Sequence, residues 1–400
     1  MKILFLANRV PYPPYRGDKL KIFNLARRLK DTHELHLLTF AQTEEDLRYK
    51  PQLEEIFKEV HFVYLPKWKS ALNCLAAPWD NRPLQVLYFQ SSKLQWLLDS
   101  LLVEHQYDAV HVQHLRMSPY LSERKDIARI LDLPDAFSLY WQRRKLVERG
   151  LLTRIFENME QRRVLRFEKI LEEYNISLVC SSEDLAYLEN THNTGNLRLL
   201  PNGVDMGTFF PRDHNYAQNK TILFTGNMDY APNVDAVTFF TANILPLVRA
   251  RMPQVEFIIA GQRPVPKVTA LANDYIKVTG FVKDISETYN TAAVVVAPLR
   301  FGAGTQNKVL EAMAMGVPVV CSNIGFAGLG IASGDGAIMQ ASPEAFAASV
   351  IELLESEEMR RRVGKAGIEV VRTKFDWDIV AKRLEGFFEE VANKKTKART

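Results

Sequence analysis

The sequence predicts an α/β fold made of two doubly wound halves, each with a mostly parallel sheet. Two observations indicate this fold. Continuous apolar runs alternate with helical stretches along the whole chain, as in sheets that are covered on both faces. The run ILFLA at residues 3–7 is also echoed by ILFTG at residues 222–226, so the pattern starts a second time near the middle of the chain.

The first half opens with the strand KILFLA, a loop rich in Pro and Tyr, and a helix. The apolar residues Leu20, Phe23, Leu25 and Leu29 roughly follow helical spacing in KLKIFNLARRLK. Further strands are expected at ELHLLTF, VHFVYL, DAVHVQ, RILDL and SLVCSS. Long helices should separate them, including one over residues 143–174.

The second half repeats this order after Thr221, with a loop holding Pro232 and a helix over residues 235–252. Strands are expected at VEFIIAG, IKVTGFV, AVVVAPL and PVVCS. A polar linker near residues 203–219 separates the halves. We therefore predict domains at residues 1–205 and 206–375, followed by a helix and polar tail at 376–400. Ligands should bind beyond the carboxyl ends of the strands, in the crevice between the two sheets.

Composition excludes several classes of protein. The 400 residues are 47% apolar and 24% charged, which describes a globular chain with a large core. The 51 basic and 47 acidic residues balance to +4, too even for a protein that wraps nucleic acid. The cysteines Cys74, Cys180 and Cys321 show neither a disulfide framework nor zinc-site spacing. The apolar run at the amino terminus is too short for a signal peptide, which favours a cytoplasmic location.

The segment APLRFGAGTQNKVLEAMAMGVPVVCS carries the strongest chemical signal. Gly302 and Gly304 allow a tight turn that approaches a ligand, and Thr305 can cap the helix that follows. The amides at such a helix start form an anion site. Lys308 and Glu311 are three residues apart and share one helix face, so a phosphate and a ribose hydroxyl would suit both. The alternative is an ordinary capped helix with a solvated Lys and Glu.

This segment resembles the retaining family-four glycosyltransferases of the GT-B fold, in particular the subgroup with the pattern R-x-G-x-G-x-x-x-K-x-x-E-A-x-A-x-G-x-P-V-V. The matching positions are Arg300, Gly302, Gly304, Lys308, Glu311, Ala312, Gly316, Pro318, Val319 and Val320. The segments PYPPYRGDKLKIFNLARRL, YDAVHVQHLRMSPYL, PNGVDMGTFFP and FTGNMDYAPNVDAVTFF resemble other parts of the family in the correct order. The resemblance thus covers most of the chain.

The resemblance implies a two-domain GT-B fold whose last helix crosses back to the first domain. It implies transfer of a sugar, with retention, from a nucleoside diphosphate sugar of the UDP or GDP type to a saccharide or lipid-linked saccharide. The lysine would hold the diphosphate, the glutamate the ribose, and the glycine loop at Gly17 would approach the phosphates. The family histidine corresponds best to His114 rather than His111, which makes His114 and Lys308 the catalytic candidates.

Three positions depart from the family pattern: Ala303, Gln306 and Ala327 stand where the family often has Glu, Arg and Glu. The Arg/Lys pair that many members carry after the first strand of the second domain is also missing from TGNMDYAPN. Lys308 would then supply the cation, together with Arg300 or Arg16.

No metal or other cofactor is expected. Asp376-Trp377-Asp378 is the sole D-x-D sequence, and it is more simply read as the cap of the last helix. A G-x-G-x-x-G fingerprint and a G-x-S-x-G elbow are absent, which argues against a nicotinamide dehydrogenase and an α/β-hydrolase.

Membrane contact would be peripheral, at the inner face, because no apolar run approaches the roughly 18 residues of a spanning helix. The basic first helix and the Trp-rich segment at residues 67–89 could lie on anionic lipid, although a solvated surface explains them too. Two other functions stay open: a nucleotide-sugar epimerase of the same fold, and a nucleotide-sugar-binding homologue without catalysis.

Overall fold

The computed structural model describes residues 1–15, 17–145, 150–211 and 220–397, which form two compact units. Unit 1 comprises Met1–Pro201 and Val380–Thr400, and unit 2 comprises Asn202–Ile379. These bounds lie a few residues from the predicted ones. Val204 belongs to the core of unit 2 and pairs with Asp376, so the short segments around these two residues stay with unit 2.

Unit 1 contains a parallel sheet of seven strands in the order β3-β2-β1-β4-β5-β6-β7. The strands are β1 (Lys2–Ala7), β2 (Glu34–Ala41), β3 (Glu59–Tyr64), β4 (Ala109–Gln113), β5 (Arg129–Leu133), β6 (Ile176–Val179) and β7 (Leu197–Leu199). In this order the chain reverses direction across the sheet between β1 and β4. The carboxyl ends of β1 and β4 therefore flank the crevice where such sheets bind ligands.

The helices of unit 1 are α1 (Gly17–Leu29), α2 (Glu44–Arg48), α3 (Lys50–Glu54), α4 (Lys67–Asn73), α5 (Leu84–Leu87), α6 (Ser92–Glu104), α7 (Phe137–Arg144), α8 (Leu151–Phe167) and α9 (Ser182–His192). Short 3-10 turns lie at Cys74–Ala76, Ser118–Tyr120 and Glu168–Glu173. The long helix expected over residues 143–174 is wrong as a single element. Gly150 is extended, with φ −62° and ψ 153°, so α8 begins only at Leu151, and residues 146–149 lie outside the described part.

Unit 2 contains a parallel sheet of six strands in the order β10-β9-β8-β11-β12-β13. The strands are β8 (Thr221–Thr225), β9 (Glu256–Ala260), β10 (Ile276–Gly280), β11 (Val294–Ala297), β12 (Val319–Cys321) and β13 (Ala337–Met339). The helices are α10 (Ala231–Phe239), α11 (Leu245–Arg251), α12 (Pro266–Thr269), α13 (Ile285–Asn290), α14 (Asn307–Ala314), α15 (Asn323–Ala327), α16 (Pro343–Glu355) and α17 (Glu357–Val370), with π-helical turns at Phe240–Ile244 and Val371–Phe375. Here the strand order reverses between β8 and β11.

Continuous apolar strands fill both cores, as the absence of alternation predicted. In β1 every residue from Ile3 to Ala7 is buried, and in β11 Val294–Ala297 is buried throughout. A strand with both faces covered must lie between two helical layers. The predicted fold class, two doubly wound α/β halves, is confirmed.

The last helix, α18 (Trp377–Lys397), belongs to both units. Its first residue, Trp377, is buried in unit 2, where the ring lies against Gly203. Further along, Phe388 lies in unit 1 with its ring 6.3 Å from that of Phe5. The Asp376 carboxylate accepts a hydrogen bond of 2.9 Å from the Asp378 amide, which is the capping role predicted for it. The helix therefore returns the chain to unit 1.

Candidate functional site

The first part of the site in unit 2 is a close contact between the loops that follow β8 and β9. Gly226 and Gly261 have φ values of 149° and 151°, which favour glycine. A Cβ atom on Gly261 would lie 1.7 Å from the carbonyl oxygen of Gly226. The Gly226 amide donates to the Ala260 carbonyl at 3.1 Å, so the ends of β8 and β9 meet backbone to backbone next to the reversal point between β8 and β11.

The glycine loop after β11 forms the second part. Gly302 and Gly304 have φ values of 139° and 75°, and a Cβ on Gly328 would lie 2.9 Å from the Gly304 carbonyl. The predicted cap at Thr305 is wrong, because α14 begins at Asn307 and its capping position is Gln306, whose side chain makes no capping bond. The first amides of a helix have no partner within it, so the start of α14 keeps its capacity for an anion.

Lys308 lies in the first turn of α14 and is only 8% exposed. Its ammonium donates to Asn233 Oδ1 at 3.1 Å and Gln306 Oε1 at 3.3 Å, and lies 5.2 Å from the centre of the Phe224 ring. Among the described residues no carboxylate lies within 4 Å of it. Burial lowers the pKa of Lys308 to about 8, although the charge of Glu311 acts in the opposite direction. A buried cation held by neutral groups is suited to an incoming anion.

Glu311 is half-buried one turn further along α14. Its Oε2 accepts a hydrogen bond of 2.8 Å from the hydroxyl of the buried Tyr289, which lies 2.6 Å from Thr225 Oγ1. Burial raises the pKa of Glu311. The carboxylate is thus held in one orientation on the same helix as Lys308, as the spacing of three predicted.

Arg300 has a carboxylate partner, in contrast to Lys308. Its guanidinium donates to Asp235 at 2.5 and 2.9 Å and lies over the Phe239 ring at 4.8 Å. The pair neutralises most of its charge, which makes Lys308 the better candidate for the cation. Arg16, the other cation considered, lies outside the described residues.

In unit 1, Gly17 and His114 follow β1 and β4, the two strands at the reversal point. Gly17 is the first residue of α1. His114 is buried with φ 80°, its amide donates to the Asp132 carbonyl at 2.8 Å, and its ring lies 4.7 Å from that of Phe137. Burial lowers the pKa of His114 well below its usual range, so the ring is neutral at neutral pH.

His111, the alternative histidine, has a different environment. It lies within β4, fully buried, with Nε2 3.3 Å from Asp132 Oδ2, and Asp132 forms an ion pair of 2.6 Å with Lys21. This network is internal to unit 1. His114 is thus the nearer of the two histidines to the strand ends, and its role stays a prediction.

Sequence reasoning missed three residues near these positions. Asn233 and Tyr289 orient Lys308 and Glu311, and both come from helices distant in the chain. In unit 1, Asp135 comes two residues after β5. The pKa of Asp135 is raised well above its usual range, mainly by burial and to a smaller extent by the charge of Asp184. The sequence signal for Asp135 was its position shortly after a strand, where the ligand sites of such sheets lie.

Comparison with known proteins finds a family match in unit 2. Residues 219–356 match the model of the family described as "Glycosyl transferases group 1". A phosphatidyl-myo-inositol mannosyltransferase of Mycobacterium tuberculosis is 30% identical over 217 residues, which are 50% of this chain and 55% of the relative. The chain thus spans about half the length of the curated relatives it matches first.

Two solved structures show the same fold over nearly the whole chain. Sucrose-phosphate synthase from Thermosynechococcus elongatus has a TM-score of 0.75 at 17% identity and covers 98% of this chain and 99% of its own. HepE of Anabaena in complex with UDP has a TM-score of 0.69 at 15% identity, and the match covers 98% of this chain and 100% of the HepE chain. The fold and site define a two-domain α/β protein of the GT-B class, as predicted. Residues 219–356 match a glycosyltransferase model, and the mycobacterial relative is a mannosyltransferase, which agrees with the motif from Arg300 to Val320.

Proposed function

We propose that the protein transfers a sugar from a nucleoside diphosphate sugar to a hydroxyl of a saccharide or lipid-linked saccharide, in the assembly of cell-surface polysaccharide or glycolipid. One observation carries this proposal. Lys308 is a buried cation with no carboxylate partner in the described structure, at the start of a helix and one turn before an oriented Glu311. That arrangement suits a diphosphate followed by a ribose.

The relatives support this choice of donor and acceptor. The HepE structure holds UDP, and the mycobacterial relative is named for mannosyl transfer to phosphatidyl-myo-inositol. A donor of the UDP or GDP type agrees with both. None of the relatives named above is an epimerase, and no specific observation favours that alternative.

The proposed chemistry is stabilisation of the leaving group. As the bond between the anomeric carbon and the diphosphate oxygen breaks, negative charge grows on the diphosphate, and Lys308 with the first amides of α14 stabilises it. The acceptor oxygen forms its bond on the same face of the sugar, which retains the configuration, and its proton passes to the leaving phosphate. Lysine and a helix start supply the positive charge here, so we propose that no metal or other cofactor is required. His114 is a neutral ring whose Nδ1 accepts a hydrogen bond of 3.3 Å from the Arg116 amide, so its hydrogen would lie on Nε2 and be donated to the donor sugar or the acceptor.

Product analysis tests this proposal. The full chain should release nucleoside diphosphate from a UDP-sugar or GDP-sugar only when a saccharide or lipid-linked acceptor is present, with a chelator having no effect. Mass spectrometry should show one added sugar, and NMR should show retained configuration. Saturable donor binding without turnover over a broad acceptor panel would identify a binding protein, and epimerised donor without acceptor would identify an epimerase.

The proposed lipid-linked acceptor requires contact with a membrane surface, which we assign to α8 and the segment at residues 67–79. None of the helices in the described part of the chain is long and apolar enough to span a bilayer. The outer side of α8 nevertheless exposes large apolar side chains, namely Leu151, Leu152, Ile155, Phe156 and Met159. Arg154, Arg162 and Arg166 are exposed beside them, whereas Glu157 and Glu160 of the same helix are buried.

The buried acids of α8 have internal partners. Glu157 pairs with Arg144 at 2.6 Å, and Glu160 accepts from the Leu84 amide at 2.8 Å. Exposed charge on α8 is therefore basic throughout, which complements anionic lipid. The adjoining segment exposes Trp68, Leu72, Leu75 and Trp79 with Lys67 and Lys69, and Arg163 of α8 donates to the Ala77 carbonyl at 2.6 Å.

Vesicle binding tests the membrane surface. We expect the full chain to sediment with vesicles containing phosphatidylglycerol, less with pure phosphatidylcholine, and less at high salt because screening weakens charge attraction. Leu152→Glu and Trp79→Glu remove side chains that are 83% and 87% exposed, and each should weaken binding about tenfold or more through lost apolar burial.

The matched control is Trp96→Glu, which changes a tryptophan that is 68% exposed on α6, outside this surface. It should leave vesicle binding unchanged. If all three variants bind vesicles equally well, α8 and residues 67–79 are not the membrane surface.

A further inference from the structure

A cluster of histidines and glutamates lies at the amino ends of the strands of unit 1, whereas His114 follows the carboxyl end of β4. Two Glu-x-His sequences begin neighbouring strands: Glu34 and His36 in β2, and Glu59 and His61 in β3. The parallel register places His36 beside Glu59. His105, which follows α6, completes the cluster.

The distances in this cluster suit a tetrahedral metal ion. Glu59 Oε2 lies 3.4 Å from His105 Nε2 and 3.7 Å from His36 Nδ1, and the ligand atoms of these three residues all lie within 4.8 Å of one another. Zinc bonds of about 2.0–2.2 Å in a tetrahedron separate neighbouring ligand atoms by roughly 3.3–3.6 Å. The three groups need only small movements to reach that geometry.

The ring nitrogens are also oriented as metal ligands require. Nε2 of His36 lies 3.2 Å from Glu34 Oε1, and Lys2 and Lys58 each lie 2.9 Å from the Glu34 carboxylate. A carboxylate paired with two ammonium groups is an acceptor, so the hydrogen of His36 lies on Nε2. The lone pair on Nδ1 accepts a hydrogen bond of 2.9 Å from the Tyr107 hydroxyl, and Nδ1 lies 3.7 Å from Glu59 Oε2. A second carboxylate that fixes the ring of a ligand in this way is usual around metal-binding histidines.

His105 supplies an independent observation. Its Nε2 is buried and forms no hydrogen bond with any described residue, although it lies 3.4 Å from Glu59 Oε2. A polar atom left in this state costs free energy unless a ligand satisfies it. His61 Nε2, 3.0 Å from Glu59 Oε2, is within reach as a further ligand, and Glu59 is 36% exposed, which provides an entry path for an ion.

We propose that His36, Glu59 and His105 bind one zinc ion, with His61 or water as the fourth ligand. Two imidazoles and a carboxylate are a donor set that zinc accepts. The hydroxyl of Tyr107, now 2.9 Å from His36 Nδ1, would move aside when the metal binds. Because β3 is the edge strand of its sheet, the ion would connect that edge to the segment between α6 and β4. Its role is to stabilise unit 1, apart from the proposed sugar transfer.

Titration of the full chain with Zn²⁺ in competition with a chromophoric chelator tests the site. We expect one zinc ion per chain, at least tenfold weaker binding in His105→Ala, and roughly 10- to 100-fold weaker binding in Glu34→Gln, which alters only the orienting carboxylate. Zinc should also raise the thermal midpoint of the parent but not that of His105→Ala. Bound Co²⁺ should show the visible absorption of a tetrahedral ion.

The control is His192→Gln, since His192 faces a single carboxylate, Glu168, at 3.4 Å and lies outside the cluster. It should bind zinc as the parent does. Equal zinc affinity in the parent, His105→Ala and Glu34→Gln would overturn the proposal. These measurements do not use sugar transfer, so their outcome is independent of the proposed function.

Discussion

Lys308→Ala should weaken binding of UDP or GDP by about 1.5–3 kcal/mol, roughly 10- to 150-fold, and leave binding of the free nucleoside almost unchanged. The ammonium is buried, and within the described structure it faces neutral partners, Asn233, Gln306 and the Phe224 ring. A diphosphate would supply the missing negative charge, whereas a nucleoside carries none. Calorimetric titration of both ligands into parent and variant measures the difference.

The control variant is Lys277→Ala, which also removes a lysine charge from unit 2. Lys277 is exposed and pairs with Glu256 at 2.8 Å. It should bind diphosphate as the parent does.

The pH dependence of diphosphate binding provides a second test of Lys308. Since the pKa of Lys308 is about 8 in the free protein, the ammonium loses its proton as the pH rises through that value, and diphosphate affinity should fall. This fall should be absent in Lys308→Ala. Equal diphosphate affinities in Lys308→Ala and parent would show that the lysine has another role.

Glu311→Gln should reduce affinity for nucleotides with an intact ribose by about 1.5–3 kcal/mol and have little effect on their 2′,3′-dideoxy analogues. The ionised carboxylate can accept hydrogen bonds from both ribose hydroxyls, and the dideoxy sugar has none to donate. Tyr289 holds the carboxylate at 2.8 Å, so its orientation is set before the ligand arrives. Affinities of the four protein and ligand combinations form a cycle that isolates this interaction.

Tyr289→Phe is the matched variant for Glu311→Gln, because it keeps the carboxylate and removes the hydroxyl that orients it. We expect a smaller loss with the ribose nucleotide, again absent with the dideoxy analogue. If Glu311→Gln loses the same free energy with both ligands, Glu311 maintains the fold of α14 and does not bind ribose.

Local patterns predicted the fold and the placement of Lys308 and Glu311 on one helix. Continuous apolar strands and the restart at Thr221 were sufficient for the two sheets, because burial on both faces leaves a direct mark on the sequence. Lys308 and Glu311 could be placed on one face because helical spacing is a property of adjacent residues. The cap at Thr305 failed because a helix boundary depends on the backbone at Gln306, which residue type alone does not determine.

Partners contributed by other elements could not be predicted in the same way. Asn233 reaches Lys308 from α10, and Tyr289 reaches Glu311 from α13, so both contacts depend on how helices pack around the sheet. The ion pair of Arg300 with Asp235 is another tertiary contact, and it changes how much charge Arg300 can offer a ligand. In unit 1, the Phe137 ring that lies against His114 likewise comes from another element, α7.

The return of α18 to unit 1 has a consequence for how the protein forms on the ribosome. Phe388 is fully buried against Phe5 and His111, and Val391 is fully buried as well, so strands that are made before unit 2 depend on a helix that is made after it. Domains usually fold in the order of synthesis. In this protein the residues of unit 2 before α18 have all left the ribosome at a stage when unit 1 still lacks Phe388, which belongs to its core. The amino-terminal half, expressed alone, would present an apolar surface around Phe5 that its own residues cannot cover.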